Sequence, residues 1–387
     1  MKLRLLLTIF VFALGSMYVG AQTVVKVVGG RSKLVILSDG TLLGCGQNDY
    51  HEISPANGPI NALLAIKLPG KAVDAATGER TSYAVLDDGS VWAWGQGIDG
   101  ELGNGGRVNS TVPVRVAGVS NAISVIADSY TALALTREGS VYAWGRRNGA
   151  IGDGTSPQSY GVDWPGPAIS PVRVPKVSNI KQISIGYGAV LALTNDGRVL
   201  SWGANNYGAL GRAPRQELPL DTAAEVPGLT NVVMVAAGPG VSTALKRDGT
   251  VWVWGSNYQG QFGNGERDGT VGMNVGWYLE PRQVAGVANV AAISVGMAGR
   301  HTLALLKDGT LRGWGNTDWG QLGTGVSGTF QLTPVVPRIS GVKAIFAAGN
   351  NSFAVKNDGT LWAWGIGGRT LWPFPANTKL PVQISLK

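Results

Sequence analysis

Apolar positions along this chain come in short alternating runs bounded by glycine, and one unit of that pattern recurs seven times: an acidic residue, Gly, a short apolar stretch, then an aromatic and Gly. The copies pair Asp39-Gly40 with Cys45-Gly46, Asp88-Gly89 with Trp94-Gly95, Glu138-Gly139 with Trp144-Gly145, Asp196-Gly197 with Trp202-Gly203, Asp248-Gly249 with Trp254-Gly255, Asp308-Gly309 with Trp314-Gly315, and Asp358-Gly359 with Trp364-Gly365. In the copy over 290–325, Val290 to Val295 alternates, Thr302 to Leu306 follows, Lys307-Asp308-Gly309-Thr310 is the turn, and Leu311 to Gly315 completes a pair. Apolar runs of this length around an Asp-Gly turn predict a β-hairpin, because glycine supplies the positive φ the turn demands. A strand precedes the hairpin, and Thr333-Pro334-Val335-Val336 follows it, its proline suited only to an edge.

Each unit is therefore read as a four-stranded antiparallel sheet. Such a sheet cannot bury both faces alone, and a period near fifty residues marks a repeat architecture, so the predicted fold is all-β: a seven-bladed β-propeller. The repeated Trp, preceded three residues earlier by Val91, Val141, Val251 or Leu361, belongs between blades. Val24 to Val28 and the terminal Pro381-Val382-Gln383-Ile384 read as two parts of one blade, shared between the chain's ends and closing the ring.

Composition changes this picture little. Fifty-eight Gly among 387 residues would suit a disordered chain, but 44% hydrophobic residues and 13 Trp require a core. Residues 1–21 carry Lys2 and Arg4, an apolar run from Leu5 to Leu14 and the small residues Val19-Gly20-Ala21, which is the pattern of a cleaved secretory leader. The run falls short of the roughly 20 residues that span a bilayer, so stable membrane insertion after cleavage is not expected. The expected product is one domain, 22–387, exported to the periplasm or the medium. The net charge of +8 falls by two when the leader leaves, and the remaining cations are scattered. That argues against nucleic acid as a partner. Cys45 stands where the other copies hold Trp, and reads as a small buried apolar residue.

The run Asp248-Gly249-Thr250-Val251-Trp252-Val253-Trp254-Gly255-Ser256-Asn257-Tyr258-Gln259-Gly260-Gln261-Phe262-Gly263 resembles the repeat of the regulator of chromosome condensation family, as do the stretches from Asp88 to Gly103 and from Asp308 to Gly323. The resemblance implies a seven-bladed propeller. The founding member promotes nucleotide exchange on a small nuclear GTPase, an activity that does not transfer to an exported chain without a nuclear-type basic cluster. Exported bacterial members of this propeller group include a proteinaceous β-lactamase inhibitor, whose target does not transfer either, because the present chain has longer insertions.

No recognisable catalytic constellation emerges. Gly95-Gln96-Gly97-Ile98-Asp99-Gly100 and Gly323-Thr324-Gly325-Val326-Ser327-Gly328 match a dinucleotide fingerprint but lack the following helix, so no cofactor is expected. His51 and His301 have no partner at metal-ligand spacing, and His301 reads as a loop histidine bonded to backbone. The repeated carboxylates belong to turns. What remains is surface recognition. Two insertions stand out: 154–171 with Tyr160 and Trp164, and 263–281 with Trp277 and Tyr278; their aromatics either form binding loops or cover blade edges. Equivalent loops after each Trp-Gly place Tyr50, Arg146, Arg147, Tyr207, Tyr258 and Trp319 around one end of the ring. Tyr130 and Arg300, with Arg80 and Tyr187, can join them from the loops after the inner strands. Aromatics and Arg dominate interface hot spots, so the expected partner is a protein or peptide, with a glycan or cell-wall polymer as the alternative.

Overall fold

The computed structural model describes residues 22–155, 166–212, 220–267, 277–296, 300–328, 330–365 and 378–386. Within them are seven four-stranded antiparallel sheets, each continuous in sequence: blade 1 (24–65), blade 2 (72–115), blade 3 (122–173), blade 4 (180–225), blade 5 (232–283), blade 6 (290–335) and blade 7 (342–384). The only helical turn among the described residues is the 3-10 turn Asn206–Gly208. The Asp-Gly hairpins form as the pattern predicts: the carboxylates of Asp88, Asp248, Asp308 and Asp358 accept the backbone N–H two residues on at 2.8–2.9 Å. Gly89 shows why glycine follows. Its φ is +76°, and a Cβ there would come within 2.8 Å of the Asn121 backbone in the loop that opens the next blade.

Packing runs around the ring. Seven clusters of buried apolar side chains are each drawn from two adjacent blades. At six seams the centre is a fully buried Trp. Its indole N–H donates to a backbone carbonyl of the preceding blade: Trp94 to Glu52 (2.7 Å), Trp144 to Glu101 (2.8 Å), Trp202 to Ala150 (3.0 Å), Trp254 to Ala209 (2.8 Å), Trp314 to Gln261 (2.8 Å) and Trp364 to Gln321 (2.6 Å). A buried indole needs such an acceptor, and the bond fixes the angle between blades as well as their contact. At the seventh seam Cys45 replaces the Trp, and Lys33, 1% exposed and paired across the hairpin with Cys45, fills the space with its aliphatic stem while its ammonium donates to the Gly30 carbonyl.

Closure differs from the sequence expectation. Val24–Gly29 is the innermost strand of blade 1, which has its own outer strand, Ile60–Ala65. Thr378–Ile384 pairs with Leu361–Gly365 as the outer strand of blade 7. No blade is shared, because neither sheet has a vacancy for the other terminus. The ends meet by packing: Val24, Val27 and Cys45 of blade 1 join Phe353, Leu361 and Ile384 of blade 7 in one cluster.

The innermost strands expose a free edge toward the axis, and side chains from the neighbouring blade cover it. Asp74 Oδ2 accepts from Val125 N (2.9 Å), Gln182 both accepts from Val235 N and donates to Val235 O (3.0 Å each), and the Ser184 and Ser294 hydroxyls accept from Ala237 N (2.9 Å) and Ala347 N (2.8 Å). Unpaired strand amides are thereby satisfied without a further strand. Each inner strand also carries an irregularity of register near its start. The residue turned outward there is exposed at the end of the ring opposite the Trp-Gly loops, and includes Val25, Val73, Ile123 and Val233. Blades 4 and 7 place Lys181 and Lys343 at the equivalent position, so the crown is apolar in part. Sequence reasoning did not find it, because a bulge breaks the alternation from which strand faces are read.

Candidate functional site

Because strands alternate in direction, the loops after Trp-Gly and the links between first and second strands emerge at the same end of every blade. The residue two after each loop tip has two tasks. Its carbonyl accepts the next blade's indole, and its side chain accepts the backbone N–H of the tip: Glu52 from Tyr50 (2.9 Å), Glu101 from Asp99 (2.7 Å), Gln261 from Gln259 (2.8 Å) and Gln321 from Trp319 (2.9 Å). The rim is thus tied to the seams. Burial pushes the Glu52 and Glu101 carboxyls above the usual carboxylate range, as expected of acids standing where other blades use Gln. Blades 3 and 4 have Ala150 and Ala209 at this position, with no side chain to hold the tip. In blade 4 the loop forms the 3-10 turn, and Tyr207 adopts a left-handed conformation (φ 69°, ψ 14°).

The aromatic and basic residues singled out in the sequence fall into three groups. Tyr50, Tyr130 and Tyr258 are half-buried and capped by guanidinium groups: Arg80 lies 4.7 Å from the Tyr50 ring centroid, Arg146 5.6 Å from that of Tyr130, and Arg300 4.8 Å from that of Tyr258. Arg147 is turned into its own loop, where it pairs with Asp153 and Thr155, so it is not presented at the rim. Tyr278 belongs to the outer strand of blade 5, packed against Phe262 (4.9 Å) and beneath Arg282 (4.0 Å); its role is structural.

The third group is bare. Tyr187, Tyr207, Trp277 and Trp319 are 48%, 43%, 54% and 42% exposed. Tyr207 and Trp277 meet edge to face at 6.2 Å, so the insertion carrying Trp277 converges on the blade 4 loop. Tyr207 also lies over Gly240 of blade 5, and Tyr187, like Tyr207, has a positive φ, here 48°. Left-handed non-glycine residues cost on the order of 1 kcal/mol each. Tyr160 and Trp164 lie outside the described residues.

His301 departs from the sequence reading. It opens the second strand of blade 6, is 1% exposed, and its Nε2 meets Ser352 Oγ of blade 7 at 2.8 Å, bonding to a side chain and not to backbone alone. It is part of a seam. Among the described residues no three His, Cys, Asp or Glu side chains come together to hold a metal ion, and no helix is long and apolar enough to cross a membrane. Both stretches matching the dinucleotide fingerprint are rim loops, with no helix after them among the described residues.

The ring and its loop-crowned end define the chain as a seven-bladed propeller of the glycine- and tryptophan-marked repeat type. The family model of the RCC1-like domain matches residues 117–370, and that of the regulator of chromosome condensation (RCC1) repeat matches residues 88–135. The chain belongs to the RCC1-like family, whose propeller is a protein-interaction fold. It is 27% identical over 351 residues to the human E3 ubiquitin-protein ligase HERC2, covering 87% of this chain but 7% of that protein. It is 28% identical over 303 residues to the ultraviolet-B receptor UVR8 of Arabidopsis thaliana, covering 77% of this chain and 66% of that one. The chain thus spans a small part of the first relative and just under two thirds of the second. Among solved structures, Prp20p of Saccharomyces cerevisiae, studied for its binding to Gsp1p and histones, superimposes with a TM-score of 0.74 at 22% identity, covering 94% of this chain and 87% of that one. Yeast RCC1 (Prp20) bound to Kap60 gives 0.72 at 22% identity, covering 96% and 85%. These likenesses show the fold.

Proposed function

We propose that this chain is an exported, non-enzymatic binding propeller that recognises a protein or peptide partner through the Trp-Gly end of its ring. The observation that carries the reading is the bare group of Tyr187, Tyr207, Trp277 and Trp319, four large rings left in solvent on a rim whose other aromatics are capped by arginine. Two of them are held in left-handed backbone that burial does not repay. Rigid aromatics with a polar handle are the anchors that interfaces use. Relatives that bind proteins, such as Prp20 with Kap60, support the same use of the fold. Export rests on the leader-like residues 1–21, and a mature protein whose N-terminal sequence starts at Gln22 is the expected result.

The test is capture of partners by residues 22–387 from the exported fraction, repeated with alanine at the four bare positions. Loss of the captured partner supports the face; capture undiminished by all four substitutions refutes it. A glycan or wall polymer is the second reading, favoured by the same uncapped rings, whose faces suit the C–H faces of sugars. Binding to purified polysaccharide and to no protein would replace the first reading with the second. Nucleotide exchange on a GTPase is a third reading, for which the rim offers no specific observation.

A further inference from the structure

The axis of the ring holds a cavity of about 820 Å³, open toward the same end as the rim loops and lined by the innermost strands. Its volume lies within the range of small-molecule sites. Its wall is two-sided. On blades 7, 1 and 3 the middle tier presents Phe346, Val28 and Ile126, all half-exposed apolar side chains facing the cavity. On blades 4 and 6 the same tier presents Ser184 and Ser294, flanking the small Ala236. Both hydroxyl oxygens already accept a backbone N–H from the next blade, and among the described residues neither hydroxyl proton has an acceptor. A hydroxyl in this state keeps a donor for a ligand in the cavity that it lines.

Toward the floor, Lys26 pairs with one oxygen of Asp74, whose other oxygen accepts from Val125 N. The ammonium keeps N–H groups beyond that pair, whereas the carboxylate is engaged at both oxygens. At the mouth, the buried Asp128 is likewise engaged at both, by Ser129 N and Gly188 N. The middle and floor of the cavity therefore offer side-chain donors at Lys26, Ser184 and Ser294, with the Asp74 carboxylate already engaged, opposite an apolar half-wall. Water can satisfy the donors but not the apolar half.

We propose that this axial cavity is a small-molecule site for a planar aromatic ligand bearing carboxylate or carbonyl acceptors on one edge, its apolar face on Phe346, Val28 and Ile126 and its acceptor edge on Ser184 and Ser294. Of the bare rim rings only Tyr187 lines the cavity, and none of the four supplies one of these ligand contacts, so failure of this site would leave the protein-binding reading intact.

The probe is 8-anilinonaphthalene-1-sulfonate, an aromatic body with an anionic acceptor group, titrated into the full chain and followed by its fluorescence. The expected result is saturable one-to-one enhancement. Ala236→Phe, which fills the cavity between the two serines, weakens binding by at least about tenfold, and Val73→Ser, on the apolar crown at the opposite end, leaves it unchanged within about twofold. Phe346→Ser, which removes the apolar half-wall, gives the same loss by a different route and serves if the filled variant does not fold. Absence of saturable enhancement, or a folded cavity variant that binds as the parent does, overturns the proposal. So does loss of binding in Val73→Ser alone, which would place the probe on the crown.

Discussion

The seam between blades 7 and 1 carries the sharpest prediction, because a buried lysine stands in it where the other described seams centre on a Trp. Lys33 is 1% exposed, and burial pulls its pKa from 10.5 to about 8; burial pushes the neighbouring Cys45 thiol from 9.0 to about 12. Below pH 8 the lysine is charged in both the folded and the unfolded chain, and the fold bears a cost of about 3 kcal/mol for holding that charge in the seam. Between pH 8 and 10.5 the folded lysine has lost its proton and the unfolded one has not, so stability rises. The cysteine acts in the opposite sense. From pH 9 to 12 the unfolded thiol ionises while the folded one stays neutral, and stability falls by about 4 kcal/mol across that window. The sum is a rise between pH 8 and 9, near-cancellation to 10.5, and a fall beyond.

Lys33→Met keeps the stem and removes the charge. At pH 7 it should stabilise the protein by about 2 kcal/mol, the 3 recovered less about 1 for the lost bond to the Gly30 carbonyl. It should also abolish the rise between pH 8 and 9, while Cys45→Ala should abolish the fall. Urea unfolding at fixed pH, with and without the substitutions, measures each arm. The geometry adds a cross-check: Cys45→Trp alone overpacks a space Lys33 already fills, whereas Lys33→Ser with Cys45→Trp rebuilds the Ser-Trp pair of Ser82 and Trp94, so the double variant should be more stable than the two single effects sum to. A wild type without the rise, together with a Lys33→Met protein weaker at pH 7, would refute the account of this seam.

Three other substitutions test the ring elsewhere. Trp254→Ala should cost about 3 to 5 kcal/mol in denaturant unfolding, since it leaves a cavity at the seam and removes one of the two donors, the indole and the Ser242 hydroxyl, that hold the Ala209 carbonyl. Glu101 has a folded pKa raised by burial, so its stabilising contribution is complete below the unfolded carboxylate range and lost as pH rises through the folded value. Glu101→Gln, which copies Gln261 and Gln321, should therefore raise the unfolding midpoint at pH 7 more than at pH 4. Asp74→Ala strands the Val125 N–H on the inner edge and unpairs Lys26, and should cost about 1 to 3 kcal/mol, with faster hydrogen exchange at Val125.

The repeat was legible because each of its constant residues has a local cause. Asp308 and Gly309 make a turn whatever surrounds them, and Trp314 fills a seam that every blade offers. The closure was not legible. Four strands per copy fix the composition of the ring but not where the chain is cut, and Val24 to Val28 reads equally well as the start of blade 1 or as a missing part of blade 7. His301 was misplaced for a related reason. Its position just after the glycine of its repeat reads as a loop, where the pairing puts it opposite Gly315 in a strand, as Thr81 stands opposite Gly95.

The site was legible only as a set of addresses. Sequence equivalence placed Tyr50, Tyr207, Tyr258 and Trp319 at one end, but their states diverge through neighbours that equivalence does not reveal. Tyr50 and Tyr258 are capped because Arg80 and Arg300 stand in the following blade, whereas Tyr207 meets Gly240 at the corresponding place and stays open. Each of these two caps is a product of two copies, the tip of one and the link of the next, whereas the cap of Arg146 on Tyr130 joins tip and link of one copy. Reading the copies in register pairs, tip against following link, separates the capped tyrosines from the open one without coordinates. In a ring of near-identical parts, specificity resides in these junctions between copies, which explains why aligning copies one by one finds the fold and blurs the site.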